Sequence, residues 1–331
     1  MSDSSRRTST TVANAPGAVR VRLDRGYLER SRGYGYVQLS ANVGIFCVLL
    51  ALASIATRWW ELSVIFVAIG CAQHRLFFPL HDCIHYSLFP TRRETRGFGS
   101  MVSSLLGTTF DSIRDQHLDH HRDFGKIADP GASDYFVRFR SRREFLAFLL
   151  GPLVGSILIE KLGDYLRRPS AVEGVAGKNI SSAMRTIRSY GMIALAQICI
   201  FAVLTRGMQW GEFWRYPLLY ILPLVTIFLF LIRLRMFLEH GSLDYAVCDY
   251  LEGRRPTTRT IYGSWIERIV LCGSNFNYHH EHHLYPAVPG WQLQRLHRSR
   301  LGGFDPHDLR LTYLEALREI WRHLRVSNVR G

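Results

Sequence analysis

The segment PLLYILPLVTIFLFLI, residues 217–232, decides the class of fold to which this sequence belongs. It contains no charged residue, and a helix needs roughly 20 such apolar residues to cross a hydrocarbon core about 30 Å thick. Three other stretches approach this length, at residues 39–56, 60–80 and 190–205. The sequence therefore predicts an all-α integral membrane protein with four transmembrane helices.

The charge distribution predicts how these helices are oriented. The 41 lysines and arginines outnumber the 27 acidic residues, which gives a formal net charge of +14. Such a charge can indicate nucleic-acid binding, but here the basic residues flank the apolar stretches instead of forming a separate domain. Under the positive-inside rule, basic loops lie in the cytosol. We therefore expect both termini in the cytosol and no nucleic-acid partner.

The chain divides into three predicted parts. Residues 1–38 form a basic, partly disordered cytosolic segment, residues 39–300 the membrane domain, and residues 301–331 an amphipathic cytosolic helix to which we assign no chemistry. Within the membrane domain, the apolar runs 99–110 and 145–159 are too short to span a bilayer and are typical of interfacial or half-buried helices.

Histidines cluster in three boxes next to the apolar stretches. HDCIH (81–85) follows the second stretch, HLDHH (117–121) and HHEHH (279–283) lie outside the stretches, and LEHG (238–241) ends the fourth. Helical residues three or four apart share one face, so each box presents at least two imidazoles side by side. The predicted topology brings all of them to one face of the membrane. These imidazoles belong to His81, His85, His117, His120, His121, His240, His279, His282 and His283.

This set of imidazoles predicts a metal site. A closed zinc site needs only four ligands, and the zinc-protease pattern HExxH is absent because Leu284 stands where the last histidine would be. The soluble di-iron pattern, a glutamate followed three residues later by histidine, is also absent. Imidazoles suit iron, copper, nickel or zinc, and their number favours two metals with open positions. A metal transporter is an alternative, but it would need ionisable groups along the spans, where only Glu61, His74 and Arg75 occur.

The boxes HxxxH, HxxHH and HxxHH between paired spans resemble those of the membrane fatty acid desaturase superfamily, which includes hydroxylases, acetylenases and carotenoid ketolases. RLRMFLEHG (233–241) resembles the segment that supplies the additional histidine of this family, and residues 258–297 are similar to bacterial members. The resemblance covers about residues 40–300. It implies four transmembrane helices under a cytosolic helical cap that carries a histidine-rich di-iron site, in a bacterial inner membrane.

The resemblance also implies an activity. The eight histidines of the boxes and His240 would bind two iron ions. An oxygen-dependent desaturase would then introduce a double bond into a fatty acyl chain linked to a lipid, to CoA or to a carrier protein. A hydroxylase or ketolase acting on a carotenoid or a small secondary metabolite is the alternative. The first box has three intervening residues, whereas animal acyl-CoA desaturases have four, and this favours the acyl-lipid or hydroxylase branches.

Further polar residues are expected to surround such a site. Carboxylates commonly orient metal-bound imidazoles, so those within or beside the boxes are candidates. His280 occupies an intervening position of its box and is placed outside the ligand set, whereas His74, His297, His307 and His323 match no box and are predicted to be surface or packing residues. The residues expected around the ligands are Asp82, Asp119, Glu239, Asn275, Asn277, His280 and Glu281.

The sequence predicts an external source of electrons. It contains no HPGG haem motif of a fused b-type cytochrome and no CxxC pair of a fused rubredoxin or ferredoxin. A separate ferredoxin, rubredoxin or b-type cytochrome is therefore expected as a partner, together with the acyl substrate, dioxygen and the lipid bilayer.

Overall fold

The computed structural model describes residues 23–167, 180–241, 258–299 and 311–326, and every regular element in these ranges is helical. This confirms the predicted all-α class. The predictions for residues 1–22 and for His307 lie outside the described residues. In chain order the helices are α1 (Arg32–Ile55), α2 (Trp59–Ile84), α3 (Arg92–Leu105), α4 (Phe110–Asp123), α5 (Ala132–Tyr135), α6 (Arg142–Leu150), α7 (Ser156–Arg167), α8 (Ile180–Leu204), α9 (Leu229–His240), α10 (Trp265–Leu271), α11 (His279–Leu284), α12 (Gly290–Ser299) and α13 (Tyr313–Val326).

Four helical segments are long and apolar enough to cross a membrane, and they coincide with the four predicted spans. They include α1, α2, the apolar part of α8, and the segment Trp210–His240, which we call the fourth span and which ends in α9. Trp59 and Trp210 are exposed where α2 and the fourth span begin, as expected of aromatic side chains at a membrane interface. The histidines lie at the opposite ends of these two segments.

The fourth span is irregular near its middle and lies close to α2. It contains π-helical turns at Pro217–Ile221 and Leu224–Phe228, where prolines without an N–H interrupt regular α-helical hydrogen bonding. A Cβ atom on Gly70 of α2 would lie 2.4 Å from the Cβ of Ile227, so only glycine permits this close approach. The two segments therefore run side by side and bring His81 and His240 to the same end of the bundle.

Both short apolar runs are helical and shorter than a span. Residues 99–110 form the end of α3 and the start of α4, and residues 145–159 lie in α6, in a 3-10 turn at Gly151–Val154 and in α7. Helix α3 begins before the apolar run because the Thr91 side chain accepts a hydrogen bond from the Glu94 N–H, which satisfies a free donor of the first turn.

Helix α13 packs on the histidine-bearing end of the bundle. Its Tyr313, Ala316, Ile320 and Leu324 are buried in one apolar cluster together with residues of α6, α9 and α10, such as Phe237. One face of α13 is therefore buried against α6, α9 and α10.

Candidate metal centre

The structure brings the nine predicted ligands, eight histidines from the three boxes and His240, together at one end of the bundle. His81 lies in the last turn of α2, and His85 directly follows that helix. The second box lies on α4, His240 is the last residue of α9, and the third box lies on α11. Four separate segments thus converge, although the boxes are up to 202 residues apart in sequence (from 81 to 283).

Five of these imidazoles form what we call the first histidine group. One ligand atom of each lies within 4.8 Å of all the others. The Nε2 atom of His117 is 2.9 Å from that of His85, and the Nε2 atom of His121 is 3.0 Å from those of His117 and His282. The members of the group are His81, His85, His117, His121 and His282.

The other four imidazoles form the second histidine group around His240. The Nε2 atom of His240 lies 3.0 Å from those of His120 and His283 and 2.8 Å from that of His279. The Nε2 atoms of His279 and His283 are 3.1 Å apart. All nine predicted ligands therefore belong to one group or the other.

The donor set fits two imidazole-binding metal ions. Two nitrogens bound at about 2.0–2.1 Å and at right angles on one ion are about 3.0 Å apart, which agrees with the separations in both groups. A neutral imidazole carries only one N–H, so the three Nε2 neighbours of His240 cannot all be satisfied by hydrogen bonds. Burial, with the neighbouring histidines adding to it, holds the pKa of His282 and His283 well below its usual value. Both rings are therefore neutral near pH 7, as metal binding requires.

Glu239 is a buried carboxylate beside the second group. Its Oε1 atom accepts hydrogen bonds from Arg235 Nε at 2.8 Å and from the Tyr313 hydroxyl at 2.6 Å. Its Oε2 atom lies 3.4 Å from His279 Nδ1, a separation that gives electrostatic attraction rather than a well-formed hydrogen bond. The sequence predicted Glu239 near the site but did not predict its contact with Tyr313 of the C-terminal helix.

Asp82 connects the first box to the first residue of α12. Its Oδ1 atom accepts hydrogen bonds from the Gly290 N–H at 3.1 Å and from the Ser87 hydroxyl at 3.0 Å. These partners hold the end of α2 in place, whereas the expected hydrogen bond from the N–H of a predicted ligand histidine to Asp82 is not formed among the described residues.

Replacing Gly290 with alanine is expected to lower the free energy of unfolding by about 1–3 kcal/mol. The new Cβ would lie 2.4 Å from the carbonyl oxygen of Ser274, and backbone cannot yield as a flexible side chain does. Denaturant unfolding in detergent measures the effect. Gly191→Ala on α8 is the control, since its Cβ would meet nothing within 4 Å, and a Gly290→Ala protein as stable as this control would contradict the prediction.

Glu281 points away from both histidine groups and is hydrogen-bonded to His297. Its carboxylate accepts hydrogen bonds from His297 Nδ1 at 2.5 Å and from the Thr260 hydroxyl at 2.6 Å. Burial alone would raise the pKa of Glu281, but these hydrogen bonds outweigh it and lower the pKa below its usual value. His297 thus holds the third box in place from α12, a contact that the sequence did not predict.

Three other predicted residues lie outside direct contact with the ligands. Asp119 forms an ion pair with Arg122 at 2.6 Å and is 43% exposed. It lies two residues from both His117 and His121, and residues two apart face opposite sides of α4. Asn275 donates to the Gly290 carbonyl at 3.4 Å, and the carbonyl of buried Asn277 accepts from the Ile261 N–H. Among the described residues, none of the three forms a hydrogen bond with a histidine of either group.

His280→Ala is expected to keep most of the activity and all of the bound metal. His280 Nδ1 lies 3.0 Å from the Thr258 hydroxyl and 3.2 Å from its carbonyl oxygen, so this ring faces away from both groups. Metal analysis and a product assay of the purified variant provide the measurement. Joint loss of metal and product would make His280 a ligand.

The sequence missed Asp129, whose carboxylate contacts His120, as well as Tyr135, Arg235 and Tyr313. None of them belongs to a box, and Tyr313 is 74 residues from its partner Glu239. No spacing rule connects Asp129 or Tyr313 with its partner, because only the tertiary fold brings them together. Arg235 differs, since it lies four residues before Glu239 on α9, a spacing that could have indicated the pair.

A small cavity with a mostly apolar surface lies beside the histidines, between α2 and α9. Histidines of both groups form part of its wall. The apolar part of the wall is formed by Phe77, Phe78, Ile232, Met236 and Phe276.

A helical membrane protein whose imidazoles converge in two groups beside an apolar cavity has the features of a histidine-box membrane oxidoreductase. The sequence profile described as fatty acid desaturase matches residues 36–314. This match covers most of the chain, and the protein belongs to the fatty acid desaturase family.

Characterised relatives share low identity with the chain. It is 24% identical to a fatty acid desaturase of Bacillus subtilis (strain 168), over 67% of this chain and 63% of that protein. It is 27% identical to the sphingolipid delta(4)-desaturase/C4-monooxygenase DES2 of Homo sapiens, over 71% and 64%. It is 26% identical to the sn-1 oleoyl-lipid 12-desaturase of Synechocystis sp. (strain ATCC 27184 / PCC 6803 / Kazusa), over 78% and 76%. The chain thus spans slightly less than two thirds of the first two relatives.

Proposed function

We propose that the protein is an oxygen-dependent di-iron desaturase that introduces a double bond into a fatty acyl chain. The observation that carries this proposal is the opening of both histidine groups onto one apolar cavity. A long hydrocarbon chain needs an apolar channel, and the abstraction of hydrogen from such a chain needs a strong oxidant beside it. The nine imidazoles would hold two iron ions, which supply this oxidising power when bound.

The proposed reaction balances with two external electrons. A –CH2–CH2– unit, dioxygen, two electrons and two protons give –CH=CH– and two molecules of water. The chain's own residues bind and shield the substrate: Phe77, Phe78 and Phe276 form an apolar wall that excludes water around the reacting carbons. The electrons would come from a separate ferredoxin, rubredoxin or b-type cytochrome that docks on the histidine-bearing end.

The proposed location is a bacterial inner membrane, with the histidine-bearing end and both termini in the cytosol. This orientation rests on the basic residues around the predicted cytosolic loops and on the positive-inside rule. This orientation places both histidine groups on the cytosolic side, where a soluble electron donor can reach them. An acyl chain linked to a lipid, to CoA or to a carrier protein could enter the cavity from this side or from the bilayer.

Mass spectrometry of total acyl chains tests the proposal. A host that expresses this protein with a matched electron donor is compared with the same host expressing the His282→Ala variant. Acyl chains that lack two hydrogens and occur only with the unchanged protein are the expected result. Unchanged acyl chains, despite bound iron and a reduced donor, would refute an acyl desaturase.

Hydroxylation is the second candidate, because the name of the human relative includes both desaturation and monooxygenation. The same spectra distinguish the two reactions, since a hydroxylated chain gains one oxygen atom instead of losing two hydrogens. Metal transport is less well supported, because His81 and His240 lie at one end of their helices rather than along a path through the bundle.

A further inference from the structure

Asp129 is a buried carboxylate in the turn that follows α4. Its side chain is 0% exposed, and both of its oxygens lie 2.9 Å from His120 Nδ1. It also accepts hydrogen bonds from the Gly131 N–H at 2.7 Å and from the Tyr135 hydroxyl. Three groups therefore hold this carboxylate in place, and one of them is His120, a predicted metal ligand.

The contact determines which nitrogen of His120 faces the other histidines. A neutral imidazole that donates its Nδ1–H to a carboxylate keeps a free electron pair on Nε2. In this structure His120 Nε2 points at His240 Nε2, 3.0 Å away. The Tyr135 ring also stacks against His240, with centroids 5.6 Å apart and an angle of 25° between the planes. Asp129 and Tyr135 thus hold His120 and His240, two members of the second group, in place.

The two histidine groups differ in their charged surroundings. Besides Asp129, the second group has buried Glu239, whose Oε2 atom lies 3.4 Å from His279 Nδ1. Three buried Nδ1 atoms have no hydrogen-bond partner among the described residues: those of His81 and His282 in the first group and that of His279, beside Glu239, in the second. The rings of His81 and His282 pack instead on Phe276, at centroid distances of 4.3 and 5.6 Å.

We propose that Asp129 is a positioning residue for the second histidine group and that this group is the tighter of two unequal metal sites. A carboxylate behind a ligand imidazole fixes the ring and raises its basicity. A buried negative charge nearby also attracts the cation more strongly than it would in water. In the first group, no carboxylate of the described residues is hydrogen-bonded to the Nδ1 atom of His81 or His282; buried Asp82 is bonded to Gly290 and Ser87 instead. The inference rests on the proposed function, because it takes both groups as metal sites.

Metal titration of the full-length protein tests the inference without an activity assay. The protein is purified in detergent, stripped with a chelator and titrated with Co²⁺, while visible absorption and calorimetry follow binding. The unchanged protein is expected to bind two ions in two steps of different affinity. Asp129→Asn keeps the size of the side chain but removes its charge, and should weaken the tighter step by about 10–100-fold and leave the other unchanged.

Two further variants separate positioning from a general effect on the fold. Asp115→Asn on α4 makes the same chemical change at a side chain that is 73% exposed, and it should titrate like the unchanged protein. Asp129→Asn in a His120→Ala background should cause no additional loss, because the residue that Asp129 positions is already gone. An additive loss in this double variant would overturn the positioning role. Circular dichroism confirms that each variant is folded.

The remaining outcomes are also decisive. If Asp129→Asn weakens both steps equally, or weakens only the looser step, the proposed order of the two sites is wrong. An unchanged titration removes any role for Asp129, although two-ion binding by the unchanged protein would still support the proposed function. If the unchanged protein binds no ion at all, the proposed function fails before any variant is compared.

Discussion

The His282→Ala variant is expected to form less than about one hundredth of the product of the unchanged protein. Its Nε2 atom lies 3.0 Å from that of His121, inside the first histidine group. Loss of an outer partner of a ligand typically costs about 10–100-fold in metal affinity or activity. Loss of the ligand itself should cost more, and iron analysis should show that the first group no longer holds its ion.

The helices themselves should survive this substitution. His282 is buried, but its neighbours are other histidines and Phe276, so alanine leaves a small cavity at the metal site and does not disturb the packing of the spans. Circular dichroism should therefore show unchanged helix content. His323→Ala on the exposed face of α13 is the matched control and should keep both iron and activity. Normal product formation by His282→Ala would remove this residue from the ligand set.

The fold was predictable because two strong patterns specify it. Length and hydrophobicity identify spans without knowledge of tertiary contacts, and the four predicted stretches coincide with the observed spanning segments. The box spacing likewise places His117 and His121 on one face of α4, since residues four apart are neighbours on a helix. Each of these predictions depends only on residues close together in the chain.

The surroundings of the histidines were less predictable, because their partners come from distant segments. Asp129 contacts His120 through a turn that no motif marks, and Tyr313 reaches Glu239 from another helix. Proximity in sequence was also misleading: Asp119 is next to His120 in the chain but pairs with Arg122 at the surface. Which carboxylate orients which imidazole is therefore a property of the packing.

Arg235→Met is expected to lower the free energy of unfolding by about 3–5 kcal/mol, the typical cost of removing one partner of a buried ion pair. The side chains of Arg235 and Glu239 are only 8% and 1% exposed. Two N–H groups of Arg235 donate to the carboxylate, each at 2.8 Å. Without the guanidinium, Glu239 would be an unpaired charge in the interior. Among the described residues, the Tyr313 hydroxyl at 2.6 Å would remain as its hydrogen-bond donor.

Denaturant unfolding of the metal-free protein in detergent measures this loss, since bound metal would add its own stabilisation. Arg322→Met is the matched control: that arginine is 74% exposed and 3.9 Å from Glu319, so its loss should change stability by less than about 1 kcal/mol.

The double variant Arg235→Met, Glu239→Gln distinguishes an unpaired charge from lost packing. It should recover most of the stability, because it leaves no buried charge and the methionine can still pack on Phe78, whose ring lies 5.2 Å from the guanidinium carbon. A double variant no more stable than Arg235→Met alone would show that packing, and not the pairing of Glu239, accounts for the effect. The double variant should nevertheless bind metal less tightly at the second histidine group than Arg235→Met alone. The amide introduced at position 239 carries no charge that could attract a cation beside His279. Stability and metal affinity would then respond in opposite directions to the same second substitution, and this would show that the buried carboxylate is kept for the site rather than for the fold.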